Sequence, residues 1–343
     1  MTAHAFVTGA TGLIGRWLVP ALTRGGSVVT ALVRDAAKRE TEYRAWVRDH
    51  GGIAEQVRLI DGDLGADDLG LTGASRALAR EASVVYHLGA TMQLGLDPAR
   101  TVAVNQGGTE RIVRLAASIE HRPRFVLISG FRIGASKERE LERAGVYEAT
   151  KVRADRSTRA LAEELDLPLT VVNPGVVIGD SRTGETTLFW GFADFVRNLH
   201  LGKMPAVPGN ARHWMPLVTV DYLAEFLARV PPRDTQPLAE YFLLDDRTPA
   251  LGPMLGIVAG QLGVPAPWFH LPMPLVPMLL RLMGQAEKIE GLSFISTDRY
   301  DVGSATRAAG EAGLTLPDIE LAIRKNVDFL VAHDFGAASA PPA

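Results

Sequence analysis

A chain of 343 residues, 47% hydrophobic and 22% charged, is long enough to bury a sizeable core in one large or two closely joined domains. Its formal net charge of −3 offers no basic surface for nucleic acid, so a small molecule is the expected partner. The absence of cysteine excludes disulfides, thiolate catalysis and cysteine-ligated metal centres, and no metal site is expected. The first residues lack the basic start, apolar core and cleavage site of a signal peptide, so a cytoplasmic location is expected. The longest apolar run, Leu271 to Met283, is broken by Pro272, Pro274, Pro277 and Arg281 and falls short of the roughly 20 residues that cross a bilayer. It reads as a buried or lid helix, with a membrane-surface helix as the alternative.

Taken in order, residues 5–8 form a strand that runs into Thr8-Gly9-Ala10-Thr11-Gly12-Leu13-Ile14-Gly15 and a helix over 13–24. Gly9 allows a tight turn, Gly12 lets backbone N–H groups approach a pyrophosphate, and Gly15 lets the helix sit close on the strand. The helix then points its positive end at the phosphates. A second strand, 27–33, closes on Arg34, 19 positions after Gly15. An acidic residue there serves the ribose hydroxyls of NAD, whereas a basic one pairs with a 2′-phosphate, so NADP is favoured over NAD. Asp35 could serve a ribose if the strand ended one residue later, but its expected role is the N-cap of a helix from Ala36. Lys38 and Arg39 extend a phosphate pocket or form a solvated helix face.

A third strand, 57–64, ends in the acidic turn Asp63-Leu64, where Asp63 either reaches an adenine amino group or caps its own turn. The next, 83–90, ends in Leu88, Gly89 and Ala90, small enough at its last two positions for a cofactor to pass close above. His87 reads as a packed strand-end residue rather than an acid or base. A helix over 103–118 carries Asn105 near its start, and residues 125–130 make a fully buried strand. A polar stretch to Gly145 reads as a loop, and a helix then opens at Val146. The alternation of strand and helix predicts a parallel sheet covered on both faces, with ligands at the carboxyl ends of the strands.

Tyr147 and Lys151 are four residues apart and share one face of that helix. A phenol with a pKa near 10 exchanges protons poorly at neutral pH, and lowering it by about three units requires roughly 4 kcal/mol of phenolate stabilisation. A neighbouring ammonium beside an oxidised nicotinamide supplies much of this.

With these motifs in this order over roughly residues 5 to 180, the chain resembles an extended short-chain dehydrogenase/reductase. The features that carry the likeness are Thr8 to Gly15, Asp63-Leu64, His87-Leu88-Gly89-Ala90, Asn105 before Gly108-Thr109, Tyr147-x-x-x-Lys151 and Asn173-Pro174-Gly175. The resemblance implies that Tyr147 is the general acid and that Lys151 holds the nicotinamide ribose and biases Tyr147. It also implies that Asn173, Pro174, Gly175 and Val176 line the nicotinamide end, and that Pro216 to Asp221 return the chain to the first domain. One position departs: the family's Ser or Thr hydroxyl at the strand end before the tyrosine aligns with Gly130. Ser129, one residue earlier, would face the other side of a regular strand, so either it takes over or Tyr147 and backbone hold the substrate oxygen alone.

Val177 to Glu185 resembles the thioester reductase and fatty acyl reductase branch, which reduces carrier-bound or CoA-bound acyl groups with NADPH. Phe189, Trp190, Phe192 and Phe195 follow as core packing or as a substrate wall, and Lys203, Arg212 and His213 meet a phosphate, a carboxylate or water. The expected architecture is a Rossmann-type doubly wound α/β sheet with a smaller, mostly helical C-terminal substrate domain. Its parts are an NADP-binding domain over 1–180, a substrate-wall insertion over 181–215, a return over 216–233, a substrate domain over 234–335 and a disordered tail over 336–343. Residues 265–283, with Trp268 and Phe269, read as a lid over an apolar substrate or as a dimer-forming surface. The function implied is NADP-dependent reduction of a carbonyl or acyl thioester. The alternatives are a nucleotide-sugar epimerase or dehydratase that retains NAD, and a non-catalytic NADP sensor, given Gly130.

Overall fold

The structure is a computed structural model that describes residues 3–90, 101–132, 146–282 and 291–339. The chain divides into two compact units. The first comprises Met1–Pro174, Leu223–Phe242 and Gly303–Leu314; the second comprises Gly175–Tyr222, Leu243–Val302 and Thr315–Ala343.

The first unit is built on a parallel sheet. Its strands are β1 (His4–Thr8), β2 (Val28–Val33), β3 (Val57–Asp61), β4 (Val84–His87), β5 (Arg124–Ile128), β6 (Leu169–Pro174) and β10 (Leu238–Leu243). They lie in the order β10-β6-β5-β4-β1-β2-β3. β1, β4, β5 and β6 are buried almost throughout, as strands covered on both faces must be. The order runs outward from β1 in both directions, so the chain changes direction between β1 and β4, and a crevice opens there at the carboxyl ends. Helices α1 (Leu13–Arg24), α2 (Ala36–Asp49), α3 (Gly73–Ala79), α4 (Thr109–Ala117) and α5 (Val146–Glu164) supply the crossovers. α1 matches the sequence expectation at both ends.

Two local features differ from the sequence reading. The helix expected over 103–118 opens with a π-helical turn, Ala103–Gly108, before α4. Such bulges concentrate at functional sites because they re-aim backbone and side chains. Asp35 stands before α2 in the left-handed region, φ 56° and ψ 51°, and its side chain caps nothing. Asp61, at the end of the neighbouring β3, does the capping instead, accepting from the Ala36 amide at 2.7 Å.

The second unit packs helices α6 (Phe192–His200), α8 (Leu251–Leu262) and α11 (Ile319–Ala332) around Val196, Leu255, Ile323 and other wholly buried apolar side chains. Phe192 and Phe195 belong to this core, which gives the aromatic stripe a packing role. α7 (Val220–Arg229) carries the chain from the second unit back into the first. Within the proline-broken apolar run, α9 (Leu275–Leu282) buries Val276 and exposes Leu279 and Leu282. β7 (Val176–Ile178) pairs with β9 (Leu217–Thr219), and β8 (Val207–Pro208) with β11 (His270–Leu271). Trp214 is fully buried, donates from Nε1 to the Asp298 carbonyl at 2.7 Å, and carries the Arg299 guanidinium 3.9 Å above its ring.

The segment expected as a single C-terminal domain is divided between the units. Residues 238–243 add β10 beside β6, and Ser304, in α10 (Gly303–Glu311), bonds the Glu240 carbonyl. At the end of the chain, Asp334–Ser339 form a short 3-10 segment where a disordered tail is expected from Gly336. Gly336, at φ 78°, lies so close against the Phe189 ring that a Cβ there would stand 2.4 Å from it. Residues 340–343, the 133–145 part of the expected loop and Met283 of the apolar run lie outside the described residues.

Candidate active site

The site is built first on backbone approach. Gly9 has φ 73°, and a Cβ on it would stand 2.7 Å from the Gly89 nitrogen and the Leu88 carbonyl carbon. A Cβ on Gly15 would stand 2.3 Å from the Gly9 carbonyl oxygen. Both glycines are therefore obligatory: the first for conformation and contact, the second for contact alone. The Gly12 amide bonds the Gly9 carbonyl at 3.0 Å, and α1 begins with no side-chain cap. The open first turn, Leu13 and Ile14 included, leaves N–H groups of the kind that bind phosphate. Tyr43, buried on α2, braces the loop by donating to the Ala10 carbonyl at 3.0 Å.

Between β1 and β4 runs a closed polar chain with a single consistent direction. Thr109 Oγ1 donates to the Asn105 carbonyl at 2.6 Å, so it accepts from His87 Nε2 at 2.9 Å. His87 Nδ1 then accepts from Thr8 Oγ1 at 2.7 Å, and Thr8 Oγ1 in turn accepts from the Gly89 amide at 3.2 Å. Burial, with Lys151 adding repulsion, pushes the His87 pKa down to about 3, so the imidazole is neutral and structural. The Asn105 side chain donates to Thr150 Oγ1 at 3.3 Å, tying the π-helical turn to α5. Leu64 fills the space between Gly89 and Gly108, and its carbonyl accepts from Arg111. Asp63 accepts from the Gly65 amide at 2.8 Å, so one carboxylate oxygen serves its own turn. Ala90 lines the cavity described next.

At the carboxyl end of β5 the arrangement is charged. Lys151, on α5, donates to the Ile128 and Ser129 carbonyls at 3.3 and 3.2 Å. Its pKa falls to about 8 because burial disfavours the ammonium, against the opposing pull of Asp155. Ser129 gives its one hydroxyl proton to Asp155 Oδ2 at 2.6 Å. The expectation that Ser129 replaces the missing hydroxyl thus meets a group whose proton is already given to Asp155. Asp155, Ser129, Lys151, Asn105, Thr109 and Gly89 are among the walls of a cavity of about 20 Å³, room for a single water. Asp155 also accepts from Arg159 Nε at 2.7 Å; Arg159 reaches Glu240 at 2.6 Å, and Glu240 accepts from Asn173 Nδ2 at 2.8 Å. Asn173 Oδ1 is buried and has no hydrogen-bond partner among the described residues. Tyr147 lies in the first turn of α5, and its side chain is outside the described residues.

Arg34 is exposed directly after β2, and its carbonyl accepts from Arg39 Nε at 3.0 Å; Lys38 lies 3.8 Å from Asp35. Pro174 ends β6, while Gly175 and Val176 begin the second unit, where the Val176 amide bonds the Pro216 carbonyl at 2.7 Å. Among the described residues no cluster of three or more His, Asp or Glu side chains is placed to hold a metal, and no helix is long and apolar enough to cross a membrane. A dinucleotide fits this frame on three counts: the glycine cradle that a Cβ would fill, the uncapped α1 terminus, and the unpartnered Asn173 oxygen. The site residues that sequence reading missed are Asp155, Arg159 and Glu240. Only Asp155 carries a local signal, at four residues beyond Lys151 on the same helical face.

The profile of the NAD dependent epimerase/dehydratase family matches residues 5–237. A linear gramicidin synthase polypeptide of Brevibacillus parabrevis is 25% identical over 267 residues, covering 70% of this chain and 5% of that protein. The NRPS-like oxidoreductase fscA of Fusarium equiseti is 27% identical over 239 residues, covering 65% of this chain and 23% of that protein. This chain thus spans a quarter or less of the length of these relatives. The terminal R domain of the myxalamid PKS-NRPS pathway superposes with a TM-score of 0.77 at 22% identity, covering 97% of this chain and 92% of that one, which shows the shared fold. With the glycine cradle, the Rossmann strand order and the Lys151 anchorage in place, the chain belongs to the NAD-dependent epimerase/dehydratase family, the extended short-chain dehydrogenase/reductases.

Proposed function

We propose that the protein reduces a carbonyl or an acyl thioester of an apolar substrate with NADPH, with Tyr147 as the general acid. The observation that carries this reading is Lys151, buried against two strand-end carbonyls with an ammonium whose pKa is pushed down to about 8. A charge held there at such cost stabilises a phenolate one helical turn earlier and a ribose hydroxyl beside it. Bound nicotinamide supplies the hydride. For a thioester the balance is acyl thioester, NADPH and a proton in, with aldehyde, free thiol and NADP out.

Glycine at 130 and the committed Ser129 hydroxyl leave the substrate oxygen to Tyr147 and backbone donors. Arg34, exposed at the end of β2, supports a 2′-phosphate over a bare ribose. The similarity to a linear gramicidin synthase and to an R domain supports a carrier-bound or CoA-bound acyl group. In the second unit a groove of about 330 Å³ lined by Leu199, Met204, Pro205, Val264, Pro267 and Trp268 supports an apolar substrate. Steady-state NADPH oxidation with acyl-CoA thioesters, ketones and aldehydes tests the reading. Turnover that Tyr147→Phe reduces by 100-fold or more, with NADPH affinity nearly intact, is the expected result. A fully active Y147F protein would overturn the role of Tyr147.

A further inference from the structure

Behind the strand end that holds Lys151 stands a carboxylate that the reduction chemistry does not itself require. Asp155 is 2% exposed and lies one helical turn beyond Lys151 on the same face of α5. One of its oxygens receives the Ser129 hydroxyl at 2.6 Å and the other receives Arg159 Nε at 2.7 Å. Ser129 is also the residue whose carbonyl accepts the Lys151 ammonium at 3.2 Å. The carboxylate thus grips, through one side chain, the backbone group that holds the lysine. A carboxylate so buried is tolerated because the Arg159 cation and the Ser129 hydroxyl compensate it.

We propose that Asp155 is a positioning residue for the reaction: its carboxylate keeps Lys151 in the ammonium form and, through Ser129, fixes the carbonyl against which that ammonium is held. The inference rests on the role given above to Lys151.

The charged and titratable groups around Lys151 set the sign. His87, facing it from β4, is neutral and supplies no negative charge. Arg159, on α5, is positive but divides its guanidinium between Asp155 and Glu240 of β10. The π-helical turn contributes the uncharged Asn105. Among the described groups this leaves Asp155 as the anion that raises the Lys151 pKa against burial. With Asn at 155 the shape and the hydrogen bond from Ser129 can persist while the charge goes, so the lysine should lose its proton at lower pH.

The test reads Lys151 directly, without any substrate. Purified full-length protein is labelled with trace acetic anhydride across pH 6 to 10 and the Lys151 peptide is quantified by mass spectrometry. The wild-type midpoint is expected near 8, and in D155N it should fall by at least one unit, a tenfold larger neutral fraction at a given pH. D155E, which keeps the charge, should hold its midpoint close to wild type. S129A loses the tether but keeps the carboxylate, and its midpoint should move less than that of D155N. An unmoved midpoint in D155N, or an equal shift in D155E, overturns the inference. Where turnover is found, the alkaline limb of the kcat/KM profile should move with the label. A labelling shift in a protein that oxidises no NADPH would refute the proposed function, and with it the positioning role in that reaction, while leaving the hold of Asp155 on the Lys151 proton established.

Discussion

The two polar networks at the carboxyl edge of the sheet are built on opposite principles. Between β1 and β4, Gly89, Thr8, His87, Thr109 and Asn105 form a neutral chain in which every hydrogen has a taker. Beyond β5, Lys151, Ser129, Asp155, Arg159, Glu240 and Asn173 form a charged chain that ends on an oxygen with no partner among the described residues. A closed neutral network is stiff and specifies one backbone shape. An open charged one has capacity left for a ligand. The first braces the glycine cradle; the second surrounds Lys151.

Breaking the cradle should have the largest effect. Gly15→Ala places a methyl 2.3 Å from the Gly9 oxygen, and a loss of cofactor affinity of 100-fold or more is expected by fluorescence titration. Wild-type affinity would show that α1 can withdraw from the strand. Within the neutral network, His87→Phe leaves the Thr8 and Thr109 hydroxyls short of a partner and puts a larger ring in a buried site, at a cost of about 2–4 kcal/mol by urea unfolding. The pH dependence has a definite sign. His87 binds a proton near 3 when folded and near 6.5 when unfolded, so between these values the unfolded chain holds the extra proton. Its contribution to stability is full above pH 6.5 and is lost as the pH falls toward 3; H87F should flatten that slope.

In the charged network, Asn173→Leu keeps the branched shape but abandons Glu240 and removes the buried acceptor. A KM for cofactor raised about tenfold is expected, and an unchanged KM would mean that the oxygen has no ligand. Arg34→Ser should shrink any NADPH preference over NADH by about tenfold, and an undiminished ratio would place the 2′-phosphate contact elsewhere. The smallest effect separates two aspartates: Asp61→Ala should cost about 1 kcal/mol as a lost cap, and Asp35→Ala a few tenths.

The first 130 residues were largely legible because their elements depend on backbone rules. Gly9 and Gly15 are imposed by contacts under 3 Å, and β1, β2, β4 and β5 read as apolar runs between turn residues. The Asp35 cap was misassigned because a capping side chain can come from a neighbouring strand, as Asp61 does. Arg159 and Glu240 were invisible because their meeting spans 81 residues and no local period reports it. The division of 234–335 was hidden for the same reason: β10 is recognisable as a strand, but the sheet that accepts it is a matter of tertiary pairing.

The central claim is hydride delivery with consumption of the cofactor, and deuterium transfer tests it most directly. The protein is incubated with stereospecifically labelled [4-²H]NADPH and an acyl-CoA thioester, and the product aldehyde is analysed by mass spectrometry alongside NADP formation. One deuterium per aldehyde, with one NADPH oxidised for each, is the predicted result. Tight NADPH binding with no oxidation and no label in any product across thioesters, ketones and aldehydes would contradict it.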